Sequence, residues 1–165
     1  MFDIGDEVVY PMHGAGKVVG IEKKEILGEE LLYYILRLPV NSMKVMVPVK
    51  NAEEVGMRHI HSKEEMDLVF DVLASDEKEK KLKNWNHRYR YNLDRIKTGD
   101  VDEIAGVVRS LERLDREKSL STGERKLLNN AKQIIVSEMM LVYDMDFDIA
   151  EAKVIEAVFS KEEEE

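Results

Sequence analysis

The apolar positions of this chain change period once. Over residues 7–49 they come in short runs rich in Val, Ile, Leu and Tyr: Glu7 to Tyr10, Lys17 to Lys23, Leu31 to Leu38 and Lys44 to Val49. Turn chemistry separates the runs: Pro11 with Gly14 and Gly16, then Gly28, then Asn41-Ser42 after Pro39. That is the punctuation of β-strands joined by tight turns. Lys24 to Glu30 reads as a hairpin tip, and Val18 and Ile21, Leu32 and Ile35, and Val45 and Val47 read as inward residues. Four or five short antiparallel strands in about 55 residues predict a small, strongly bent SH3-like or Tudor-like barrel.

Beyond residue 61 the period becomes helical. Four times a cap residue is followed three positions later by glutamate: Ser62 with Glu65, Asp100 with Glu103, Ser121 with Glu124, and Asp148 with Glu151. Such pairs can satisfy the unpaired N–H groups of a helix start reciprocally. An apolar stripe follows each one: Met66, Val69, Phe70 and Leu73; Ile104, Val108, Leu111 and Leu114; Leu127, Leu128, Ile134, Ile135 and Val142; Ile149, Val154, Ile155 and Val158. A fifth helix is predicted from about Leu82 to Lys97, with Gly99 placed to end it. Ser75 to Lys83 reads as a hydrophilic connector, and Glu162 to Glu165 as a frayed acidic tail. The expected fold class is α+β, a small barrel over residues 1–60 followed by a compact all-helical domain over 61–165.

Composition narrows the class. The 165 residues are 44% hydrophobic and 36% charged, which is enough apolar material for a folded core. No apolar run approaches the length of a membrane span, and the acidic residues among the first ten are unlike a secretory signal. A cytoplasmic protein without membrane contact is expected. The absence of cysteine excludes disulfides, thiolate metal sites and a cysteine nucleophile.

The common catalytic patterns are missing. His59 and His61 stand two apart, His13 lies in a Gly-rich turn and His87 in the fifth helix. None has the spacing of a metal site, so surface or capping roles are expected and no cofactor is. His13-Gly14-Ala15-Gly16-Lys17 resembles a shortened phosphate loop, but it lacks the four-residue gap and the helix that must follow. The reading is that of a non-enzyme.

Charge is unevenly distributed. The whole chain carries −9, yet residues 77–97 alone carry +5. In that stretch Lys78, Lys80, Lys81, Lys83, Arg88, Arg90, Arg95 and Lys97 surround the sole tryptophan, Trp85, with Asn84, Asn86, His87, Tyr89 and Tyr91. Basic groups give phosphate affinity, and an aromatic ring can stack on or wedge between bases. Leu82, Trp85, Tyr89, Leu93 and Ile96 also follow a helical period. Taken alone, that period favours a buried Trp85.

These segments carry a family resemblance. Val8-Val9-Tyr10-Pro11-Met12-His13-Gly14-Ala15-Gly16, then Val47-Pro48-Val49-Lys50-Asn51-Ala52 and Val55-Gly56-Met57-Arg58, resemble the N-terminal part of the CarD/CdnL family of bacterial transcription regulators. Transcription-repair coupling factors share that part. The helical half is similar at Asn84-Trp85-Asn86-His87-Arg88-Tyr89-Arg90-Tyr91-Asn92, at Lys97-Thr98-Gly99-Asp100-Val101, and at Leu120-Ser121-Thr122-Gly123-Glu124-Arg125.

The resemblance implies a monomeric, non-enzymatic regulator with two contacts. The barrel would bind the RNA polymerase β subunit, partly by strand addition at a sheet edge, with Lys24, Arg37, Lys44 and Met46 as the polymerase-facing residues. The helical half would touch promoter DNA weakly, in the minor groove at the upstream edge of the melted region, and stabilise the open complex. Trp85 would be the wedge there, with Asn86, His87, Arg88, Arg90, Arg125 and Lys126 around it. Recruitment by polymerase would bring the protein to the nucleoid. The alternative reading is a protein–protein adaptor with an SH3-like barrel, a buried Trp85 and no direct DNA role.

Overall fold

The computed structural model describes residues 1–76 and 84–161. Lys78, Lys80, Lys81, Leu82, Lys83 and the tail Glu162 to Glu165 lie outside the described residues. The chain runs β1 (Glu7–Tyr10), β2 (Gly14–Ile26), β3 (Glu29–Arg37), β4 (Lys44–Pro48), α1 (Val49–Val55), β5 (Arg58–His59), α2 (Lys63–Ala74), α3 (Trp85–Lys97), α4 (Val101–Glu117), α5 (Thr122–Tyr143) and α6 (Phe147–Val158). The α+β division expected from the sequence is present.

The strands form one antiparallel sheet in the order β4-β3-β2-β1-β5. β2 and β3 run further than their apolar runs suggest, because their outer ends form a solvent-exposed ribbon held by its own strand pairing. Its tip is only Leu27-Gly28, both at positive φ (53° and 80°), as a tight two-residue hairpin requires. A register irregularity between Val18 and Gly20 lets Val18 and Ile21 both turn inward despite their odd spacing. β3 has no such break, so Tyr34 and Leu36 enter the core with Val8, Val18, Val47, Ala52 and Met57. Ile35 therefore lies on the opposite face from these residues, and Leu32 is exposed. Both were expected in this core; Ile35 is nonetheless buried, on the other face of the sheet. Val49, read as the end of a strand, instead begins α1, which Gly56 closes at φ +78°.

The helical half has its own core, centred on Ile104, Val108 and Leu111 of α4 and Leu128, Ala131 and Ile135 of α5. Capping follows the predicted pairs at three starts. Ser62 and Glu65 cap α2 reciprocally, Asp100 accepts from the Asp102 and Glu103 amides, and Ser121 accepts from the Glu124 amide. The fourth pair fails. α6 starts at Phe147 after Asp146, which rotates Ile149 into solvent at 50% exposure and puts Ala150 in the core.

The two halves meet along α5. Gly14 sits at φ +101°, and a Cβ there would lie 2.7 Å from Ser137 Oγ, so only glycine permits this approach. The next amide, Ala15 N–H, donates to Ser137 Oγ at 2.9 Å. The glycine turn that resembles a phosphate loop is a docking point for a helix.

Candidate functional site

α3 begins where Asn84 accepts a hydrogen bond from the Asn86 amide at 2.9 Å. Trp85 is its first helical residue and stands 54% exposed. The helical period that favours a buried Trp85 is realised only through Tyr89, Leu93 and Ile96, with Asn92 buried beside them. Asn86, His87 and Arg90 are exposed around the indole, and Arg90 makes no ion pair among the described residues.

Arg88 has a different setting. Its Nε and Nη2 donate to Glu124 Oε2 and Oε1 at 2.6 and 2.8 Å. The Glu124 side chain is only 2% exposed. The Arg88 hydrogen bonds hold the Glu124 carboxyl below its ordinary pKa against the opposing effect of burial, and Ser121 assists. The Tyr89 ring lies over Gly123, so the first turns of α3 and α5 stand side by side. That places Arg125 and Lys126 near the same end of the helical half. Arg125 pairs with Asp115 at 3.0 Å and Lys126 is exposed. Arg95 pairs with Glu103 at 2.9 Å, lies against the Tyr91 ring and crosses α4 at Gly106, where a Cβ would meet its guanidinium.

The strand register also gathers the four candidates of the sheet. Opposed residues of an antiparallel pair share a face. Arg37 opposes Lys44, Ile35 opposes Met46, Tyr33 opposes Pro48 and Leu31 opposes Lys24. Lys24, Arg37, Lys44 and Met46 thus lie on one face, opposite the core residues Tyr34 and Leu36. Tyr33, Leu31 and Ile26 complete an apolar line along it, which the sequence hides because Ile26 falls in the expected hairpin tip and Leu32, not Leu31 or Tyr33, is expected to pair with Ile35. β4 is an edge strand, with Met46 38% exposed.

The other three histidines take structural positions. His13 stacks on Tyr10, His59 meets the Phe2 ring edge-on, and His61 contacts Glu138 at 2.9 Å. Glu138, 1% exposed on α5, also accepts both Arg58 Nη groups at 3.0 and 3.1 Å and the His61 amide at 2.7 Å. Burial raises its pKa, but Arg58 and His61 more than offset this and hold the carboxyl below its usual range. Sequence reading did not single out Ser137 or Glu138. Their one signal is a polar pair interrupting an apolar run from Ile134 to Met140.

Comparison with known proteins matches residues 2–61 to the CarD-like/TRCF RID domain and residues 68–155 to the CarD C-terminal domain. The chain is 39% identical over 142 residues to "Putative transcription factor YdeB" of Bacillus subtilis (strain 168), covering 86% of this chain and 92% of that protein. With both halves matched in order and a full-length relative of this similarity, the chain belongs to the CarD family of transcription factors.

Proposed function

We propose that this protein binds the RNA polymerase β subunit through its N-terminal sheet and stabilises the promoter open complex through Trp85. The exposure of Trp85 at 54% carries the reading, because a tryptophan in a basic helix has little packing reason to stand in solvent. A large apolar side chain at a helix start can fill a partly unstacked base step in the minor groove. Asn86 and His87 can reach groove edges, and Arg90, Arg125 and Lys126 can neutralise phosphates. Strand addition at the β4 edge, with the Met46 face beside it, is the polymerase contact. The acidic remainder of the chain opposes free binding to DNA, and tethering to polymerase supplies the missing effective concentration.

Two substitutions separate the contacts. Met46→Asp should weaken binding to the isolated β subunit by roughly tenfold, since an added carboxylate disturbs the match between cationic and anionic surfaces. Its melting temperature should not change, because Met46 is on an edge strand. Arg90→Ala should leave that binding intact and reduce the slope of log DNA affinity against log salt by about one. Undiminished β-subunit binding by a folded Met46→Asp protein, measured by biolayer interferometry, would remove the sheet face from the reading.

A further inference from the structure

The first half of α3 has little to hold it in place. Its buried residues, Asn92 and Ile96, both lie in the second half. Between Trp85 and Tyr91, only Arg88 and Tyr89 are even half-buried. The Arg88 amide closes the first helical hydrogen bond onto the Asn84 carbonyl at 3.0 Å, so Trp85 lies inside the loop that this bond closes. The Arg88 side chain then runs to Glu124 with two hydrogen bonds of 2.6 and 2.8 Å. A guanidinium held at two points by one carboxylate is fixed in direction as well as in distance.

Glu124 is itself immobilised. Its amide donates to Ser121 Oγ, and Ser121 Oγ–H donates to Glu124 Oε1, each at 3.2 Å. The carboxylate is thus built into the start of the 22-residue helix α5, the longest element of the fold. We infer that Glu124 is a positioning residue for Trp85: through the two-point contact with Arg88, α5 fixes the direction in which α3 presents the indole. Arg88 then differs in kind from Arg90, orienting the wedge from within while Arg90 faces the phosphates. This rests on the reading of Trp85 as the DNA contact.

The sole tryptophan makes the inference measurable in the free, full-length protein. Glu124→Gln removes the charge and half of the two-point contact. Arg88→Lys keeps the charge and leaves the buried carboxylate paired, but an ammonium cannot reproduce the fork. The lysine variant therefore guards against simple loss of fold, which thermal melting checks. Both variants should lower the fluorescence anisotropy of Trp85, and Arg90→Ala should not. With polymerase on a promoter, both should shorten open-complex lifetime about three- to tenfold, a fraction of what a base–aromatic contact is worth. The salt slope of Arg88→Lys should match that of wild type. Unchanged anisotropy in the folded variants overturns the positioning role. Lowered anisotropy with a wild-type open-complex lifetime overturns the DNA role of Trp85 on which it rests.

Discussion

Trp85→Ala should shorten the lifetime of a promoter open complex held by this protein about ten- to a hundred-fold, with almost no change in melting temperature. Base–aromatic contact is worth about 1–3 kcal/mol, and about 1.4 kcal/mol is a factor of ten in rate. The small effect on stability follows from position. Trp85 is the first residue of α3 and is 54% exposed, so its removal leaves no closed cavity. A buried tryptophan would behave in the opposite way, losing about 3–5 kcal/mol of stability and affecting transcription only through unfolding. Competitor-challenged open-complex decay and thermal melting on one preparation distinguish the two.

Glu138→Ala should be the most destabilising single change outside the apolar cores. The carboxylate is 1% exposed and receives hydrogen bonds from both Arg58 nitrogens and the His61 amide, with the His61 ring at 2.9 Å. Removing one partner of a buried pair costs about 3–5 kcal/mol. Arg58, 31% exposed, can turn partly to water, so the loss should sit near about 3 kcal/mol, or about 6–12 °C in melting temperature for a chain of this size. The sign of the pH effect follows from the lowered folded pKa. The stabilisation is complete above the ordinary carboxylate range and is lost as pH falls through the lowered folded value. Glu138→Gln should accordingly show a shallower acid-side fall in melting temperature than wild type. An unchanged acid profile would mean that the pair does not hold the two halves together.

What the sequence made legible is local. The change of hydrophobic period near residue 61 separates sheet from helices, and Ser62 with Glu65 marks the start of α2 to the residue. Asp148 with Glu151 misleads because the same spacing occurs inside α6, beginning two residues after its true cap, Asp146. Face assignments in the sheet depend on bulges, which an alternation count cannot locate. The break at Val18–Gly20 rescues one pair of inward residues, and its absence in β3 reverses Ile35. Trp85 is ambiguous by period, and only its 54% exposure in the folded chain decides that it is not a core residue. The contacts that organise the site are distant in sequence. Arg88 and Glu124 are 36 residues apart, Arg58 and Glu138 are 80 apart, and Ala15 and Ser137 are 122 apart. No local pattern encodes such pairs. Glu124 therefore reads as half of a capping box, and Arg88 as one more cation in a basic run.

The most direct test of the two-contact account is a photocrosslink from position 85. The full-length protein carrying a photoreactive phenylalanine analogue in place of Trp85 is mixed with polymerase and a promoter and irradiated. A second protein carries the analogue in place of Leu68, an exposed residue of α2. The account predicts a crosslink to DNA at the upstream edge of the melted region from position 85 only, and only with polymerase present. Equal crosslinking from both positions, or none from position 85 while the protein is bound to polymerase, would contradict it.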